Sequence, residues 1–188
     1  MPDLVLYHLS EDPSITRFVP HVAATSSATE ALVWALEPAK SYLYLFPRDC
    51  PRVTFFVAEH TSDEDRERFF AHTEASRVVA IESGWLDRLH STTLYRYELP
   101  RDGFEMVDDD AGYWVSRRTV EPLSVDPVCD LMAALLDEGV EVRVTPSLWP
   151  LYEAVVASTL GFSIIRWRNA APREASMSPG GPNNAQQE

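Results

Sequence analysis

Pro47 and Pro51 interrupt the most aromatic stretch of the chain, Tyr42-Leu-Tyr-Leu-Phe-Pro-Arg-Asp-Cys-Pro-Arg-Val-Thr-Phe-Phe56. A proline inside a helix removes a backbone donor and clashes with the preceding turn, so a continuous helix is excluded here. The aromatic and β-branched residues on either side, 42–46 and 53–57, predict two short strands joined by a stiff turn. That turn carries Arg48 and Arg52. Two guanidiniums held by a rigid loop suit a phosphate or a carboxylate. The same pair equally suits surface carboxylates, or apolar surface covered by the arginine stems.

The charge balance sharpens that choice. The chain has 188 residues and a net charge of −13, a balance that repels nucleic-acid phosphates and anionic lipid unless a local basic patch compensates. Lys40 is the only lysine, and Arg117-Arg118 and Arg166-Trp-Arg168 are too short to supply such a patch. DNA, RNA and membrane surfaces are therefore not expected partners. The sequence starts without a basic, apolar leader and contains no apolar run of ~20 residues, so a cytoplasmic location is expected. Cys50 and Cys129 lack metal-ligand spacing and read as free thiols. Cys50, between two arginines, has either a lowered pKa and reactivity or the role of a small loop hydrophobe.

Along the chain, residues 4–8 predict a first strand, and 30–36 fit strand or helix. Thr61-Ser-Asp-Glu64 has the form of a helix-capping box, predicting a helix over 62–74. Strands are expected at 77–82, 92–99 and 113–120, with a short helix over 84–90 and a solvated loop at Asp108-Asp-Asp110. Asp126-Pro127 predicts a helix over 128–138, with Leu131, Leu135 and Leu136 inward and Gly139 ending it. A strand over 140–144, a helix from Ser147 to about Leu160 and a last strand over 162–168 complete the domain. The segment 169–188 is poor in apolar residues and predicts a disordered tail. The whole is one globular domain, 1–168, of α+β class: a compact mixed or antiparallel sheet core of short strands with several flanking helices.

Motifs for metals, for glycine-cradled nucleotides and for a hydrolase nucleophile elbow are missing. What remains is His8 at a strand end with Ser10 two residues on, a spacing that points both side chains to one side of an extended chain. Together they suit a ribose or an amide; alternatively they simply close a turn. The run Leu6-Tyr-His-Leu-Ser-Glu-Asp-Pro-Ser-Ile15, followed by Phe18-Val-Pro20, resembles the opening of ADP-ribosyltransferase-like domains. That resemblance implies a split sheet, with His8 and Ser10 holding the nicotinamide ribose of NAD. Over residues 4–170, the strings Val33-Trp-Ala, Leu43-Tyr-Leu-Phe-Pro-Arg-Asp-Cys-Pro-Arg-Val53, Leu94-Tyr-Arg-Tyr, Trp114-Val-Ser and Pro146-Ser-Leu-Trp-Pro150 also resemble an uncharacterised family of small bacterial proteins. The carboxylate that such transferases place on a later strand would fall near Gly112-Tyr-Trp114, where the chain has none; Glu98 and Glu121 are the nearest.

The functional expectation is an enzyme, or a descendant of one, of ADP-ribosyl- or phosphotransferase type. NAD or a related ribonucleotide would lie between the first strand and the arginine loop. His8 and Ser10 would meet ribose, Tyr44 or Trp114 would stack on a ring, and Arg48 and Arg52 would meet phosphate, with His8 and Arg48 as the catalytic pair. The alternative is a non-catalytic binding or interaction module.

Overall fold

The computed structural model describes residues 5–22, 30–109 and 111–173. The elements in order are β1 (Val5–Ser10), β2 (Val33–Leu36), a 3-10 helix (Pro38–Tyr44), β3 (Arg52–Phe56), α1 (Asp63–Phe70), β4 (Arg77–Glu82), a 3-10 turn (Ser83–Trp85) and α2 (Leu86–Ser91). There follow β5 (Leu94–Pro100), β6 (Glu105–Asp108), β7 (Tyr113–Ser116), β8 (Ser124–Val128), α3 (Leu131–Asp137), β9 (Val140–Thr145), α4 (Trp149–Val156), β10 (Gly161–Ile165) and a final 3-10 turn (Trp167–Asn169). The strands form two sheets, ordered β6-β7-β2-β1-β5-β8 and β10-β3-β4-β9. This is the expected α+β class, mostly antiparallel, with one parallel pair between β4 and β9.

Alternation along the strands sorts the apolar side chains into three layers. Val79 and Ile81 of β4 meet Leu94, the α2 and α3 leucines Leu89, Leu131 and Leu135, and the stretch Tyr42–Cys50 in the central layer between the sheets. Val53, Phe55, Val78 and Ala80 point the other way, under Phe69 and Phe70 of α1 and Val155 of α4. The outer face of the larger sheet, with Leu6, Val33, Ala35, Tyr97 and Trp114, is covered by Phe18, Phe104 and Val120.

Several local expectations are corrected. Residues 42–46 form no strand, because Pro38 opens a 3-10 helix that carries Tyr42 and Tyr44 inward. Asp126-Pro127 does not start a helix. It lies in β8, an edge strand where the missing proline N–H costs no ladder bond. The cap is Asp130, whose Oδ1 accepts the Ala133 N–H at 2.9 Å, so α3 starts later and leaves Leu136 59% exposed. Gly139, at φ +69°, ends that helix in the left-handed conformation a glycine adopts without strain. The helix expected to reach Glu74 ends at Phe70, and the one expected to reach Leu160 ends at Val156. Residues 105–108, outside every expected element, form β6 and take Asp108 out of the expected acidic loop, of which Asp110 lies outside the described residues.

The expected tail falls outside the described residues beyond 173, but its start does not. The Trp149 indole N–H donates to the Ala171 carbonyl at 2.9 Å, and the Ala171 N–H meets both Glu82 carboxyl oxygens, at 3.1 and 3.0 Å. These bonds fasten the segment after β10 to the smaller sheet, and with it the residue that opens the segment, Arg166.

Candidate functional site

β1 pairs with β5 along its whole length, but with β2 only at Tyr7 and Leu36. Beyond that point the two strands part toward Ser10 and Val33. A cavity of about 530 Å³ occupies the gap, within the roughly 300–1,000 Å³ of small-molecule sites. Tyr7 and Leu9 point to one face of β1 and His8 and Ser10 to the other, yet all four line the hollow. The cavity therefore passes through the sheet. Its far wall is the Pro47–Pro51 loop with Arg48, Arg52 and, from the end of β10, Arg166.

Arg52 is the most constrained of these groups. It is 2% exposed, and no carboxylate pairs with it among the described residues. Its Nε donates to the Leu43 carbonyl at 2.8 Å and its Nη1 to the Cys50 carbonyl at 2.9 Å. The guanidinium stacks near Tyr44 (5.4 Å) and Phe46 (5.0 Å), which suits a planar cation. Burial pulls its pKa down to about 10, so it stays a cation at neutral pH. Nη2 has no hydrogen-bond partner among the described residues and is not sealed from solvent. A desolvated cation at a cavity wall, satisfied by carbonyls and ring faces and with one nitrogen unpartnered among the described residues, is suited to an anion.

Arg48 is exposed and shapes the loop through its backbone. Its N–H donates to Glu11 Oε1 at 2.8 Å, and its carbonyl accepts Arg166 Nε at 2.9 Å. Arg166 adopts φ +56°, the only left-handed non-glycine among the described residues. A long side chain rarely takes that conformation, which costs about 1–3 kcal/mol. Here it turns the guanidinium back over the loop, while Asn169 Nδ2 donates to the Asp49 carbonyl at 2.8 Å. Three arginines thus converge on one wall of a chain of net charge −13.

Opposite them, the His8 Nδ1–H donates to the Trp34 carbonyl at 2.9 Å, which leaves Nε2 with the lone pair. The ring packs on Phe18 at 4.7 Å. Burial, against the Trp34 bond and helped by His21 and Arg48, holds its pKa below the ordinary value, so the imidazole is neutral at pH 7. Ser10 Oγ accepts the Asp12 N–H at 3.1 Å and closes the turn after β1 while lining the cavity. Tyr44 reaches the site from the 3-10 helix rather than from a strand, its hydroxyl 2.7 Å from that of Tyr113. Burial and the Tyr44 hydroxyl push the Tyr113 pKa up, so that phenol remains protonated.

Trp114 is not at the site. Its neighbour Tyr113 lines the cavity, and alternation turns Trp114 to the opposite face. There its indole N–H donates to Glu37 Oε1 at 3.2 Å under the Arg101 guanidinium, 4.3 Å from the ring. Trp34, edge-on to Tyr113 at 5.9 Å, supplies the aromatic wall instead. Sequence reasoning also missed His21 and Arg166; the signal for Arg166 was the Arg-Trp-Arg run that closes the last strand. Neither Glu98 nor Glu121 lines the cavity, and among the described residues Glu11 is its carboxylate. The reactive-thiol alternative is overturned: Cys50 is fully buried, and burial pushes its pKa up to about 12. No group of three or more His, Cys, Asp or Glu among the described residues is arranged to hold a metal ion. No described helix is long and apolar enough to cross a membrane.

A family model spanning residues 7–170 matches this sequence. The chain belongs to DUF6886, a family of unknown function. No curated protein and no solved structure matches it significantly. The DUF6886 match starts at Tyr7, inside β1, and ends at Ala170, within the segment that carries Arg166. It therefore takes in every described wall of the cavity.

Proposed function

We propose that this DUF6886 chain binds a small phosphate-bearing ligand with an aromatic ring, NAD or a related ribonucleotide, in the hollow between β1 and the arginine loop. On this reading it acts as, or descends from, an ADP-ribosyl- or phosphotransferase-like enzyme. The observation that carries the reading is Arg52, a buried cation with no carboxylate and one nitrogen left over at the cavity. Arg48 and Arg166 add charge at the mouth. Trp34, Tyr44 and Tyr7 offer faces and edges for a ring, and Ser10 with the neutral His8 offers hydroxyl and lone pair to a ribose. His8 and Arg48 are the catalytic candidates: the imidazole accepts a proton and the guanidinium meets developing negative charge.

Between the two chemistries, the lining favours phosphoryl over ADP-ribosyl transfer. Glu11, the cavity's carboxylate, has one oxygen committed to the Arg48 N–H, which leaves it poorly free to stabilise an oxocarbenium-like centre. Three guanidiniums instead suit the charge on a phosphoryl group. Titration with inorganic phosphate, AMP, ADP-ribose and NAD, read by thermal shift and calorimetry, tests the binding. A rise in Tm for AMP larger than that for adenosine is the expected result. Equal or absent shifts for both at millimolar ligand would end the proposal.

A further inference from the structure

Among the described residues two histidines line this cavity, each with its Nδ1 turned to a backbone carbonyl. His8 Nδ1 is tied to the Trp34 carbonyl, and His21 Nδ1 lies 3.2 Å from the Val19 carbonyl. A carbonyl only accepts, so each ring places its hydrogen on Nδ1 and leaves Nε2 for other work. Both are anchored to the same extended segment. His21 exchanges backbone bonds with Leu32 at 3.2 and 3.1 Å, and His8 is bonded at Trp34, two residues further along. Those anchors lie about 7 Å apart on an extended chain. Both residues line the hollow that the three arginines also line, so a phosphate held by the guanidiniums has one imidazole to serve its entering oxygen and another to serve its leaving oxygen. The rings differ in one respect: His8 is packed on Phe18 and desolvated, whereas His21 is exposed.

We propose that His8 and His21 are a base and acid pair that hydrolyses a phosphate ester of a sugar hydroxyl in this cavity. The proposal rests on the phosphate-binding reading above and names the reaction at that site. Water attacks phosphorus, and its proton passes to His8 Nε2 as the new O–P bond forms. The ester O–P bond breaks, and the leaving sugar oxygen takes the Nε2 proton of His21, which enters the step as the doubly protonated imidazolium and leaves it neutral, its other hydrogen still on Nδ1 toward the Val19 carbonyl. His8 then gives its proton to solvent and His21 regains one, so the pair is reset with no change in redox state. Arg52, Arg48 and Arg166 hold the non-bridging oxygens throughout.

The probe is a nucleoside 2′,3′-cyclic phosphate, whose hydrolysis is followed by phosphorus NMR in EDTA, which silences metal-dependent contaminants, while the variants below, purified alike, control for the rest. Wild-type protein is expected to open the ring. His21→Ala, at an exposed position whose backbone bonds survive, is expected to slow it about 100-fold or more, as is His8→Gln. A second substrate separates the roles. With a p-nitrophenyl ester of a nucleotide the leaving group needs no proton, so His21→Ala should lose less than about 10-fold while His8→Gln stays as impaired as before. A merely structural part for His21 would lower both rates equally, and that result overturns the assignment. So does a wild-type protein that leaves the cyclic phosphate intact while AMP still raises its Tm. Absence of any AMP shift instead removes the binding reading, and this proposal with it.

Discussion

Glu82 and Arg52 are both buried ionisable side chains, 5% and 2% exposed, and neither has an ion-pair partner among the described residues. They pair across no gap and serve opposite ends. Glu82 sits under α4, where its oxygens accept the N–H groups of Leu148 at 3.3 Å and Ala171 at 3.1 and 3.0 Å. Every donor is supplied by the chain itself, so the group fastens the smaller sheet to the segment after β10. Arg52 is met only by two carbonyls and two ring faces among the described residues; its Nη2 has no partner there, and the residue lines a cavity. A buried polar group closed by backbone partners is a structural joint; one left open at a hollow is a recognition element.

The largest effect should come from Glu82→Leu. It orphans the Leu148 and Ala171 N–H groups, and urea unfolding should show about 3 kcal/mol less stability. Arg52→Met is the converse test: it leaves the Leu43 and Cys50 carbonyls unmet, so stability should fall by about 2 kcal/mol, but it should also weaken phosphate binding at least about 10-fold by calorimetry, which Glu82→Leu should leave unchanged. If the glutamate variant loses binding as selectively as the arginine one, the contrast between the two groups collapses. Arg166→Gly sharpens it further. Glycine takes φ +56° without strain, which offsets the lost bond to Arg48, so Tm should stay nearly constant while phosphate affinity falls several-fold.

The smallest effect concerns His8. Its folded pKa is lowered from 6.5 by burial, so as pH falls through about 6.5 the unfolded chain takes up a proton that the folded chain refuses. Unfolding then becomes easier by at most about 1.4 kcal/mol per pH unit, down to the folded pKa. The groups facing the ring are Phe18, the Trp34 carbonyl, His21 and Arg48. Stability measured from pH 7.5 to 5 should show this slope in the wild type and a flatter one in His8→Asn.

The strands with strong β-branched runs were legible: Arg77–Glu82 is buried on both faces at the middle of the smaller sheet, and Val140–Thr145 alternates β-branched with polar residues as a half-buried edge strand does. The reading failed where two local signals conflict. Pro38 overrode the strand propensity of Tyr42–Phe46, and an edge position turned the helix-start signal Asp126-Pro127 into strand. At the site, His8, Ser10, Tyr44, Arg48 and Arg52 line one cavity, whereas Trp114 was misplaced by a single residue. On a strand that step reverses the face, so Tyr113 and Trp34 stand where Trp114 was expected.

By itself the sequence determined the α+β class, the proline-stiffened loop with its two arginines, and the histidine at the end of the first strand. These follow from local chemistry: proline geometry, side-chain branching and charge. Only the tertiary structure decided that β1 and β2 part after Tyr7 and that Arg166 turns back from the far end of the chain. It also decided that His21 shares the hollow with His8. Those placements depend on pairing between segments apart in sequence, up to the 118 residues between Arg48 and Arg166, and no local pattern encodes which distant strand end will close a cavity.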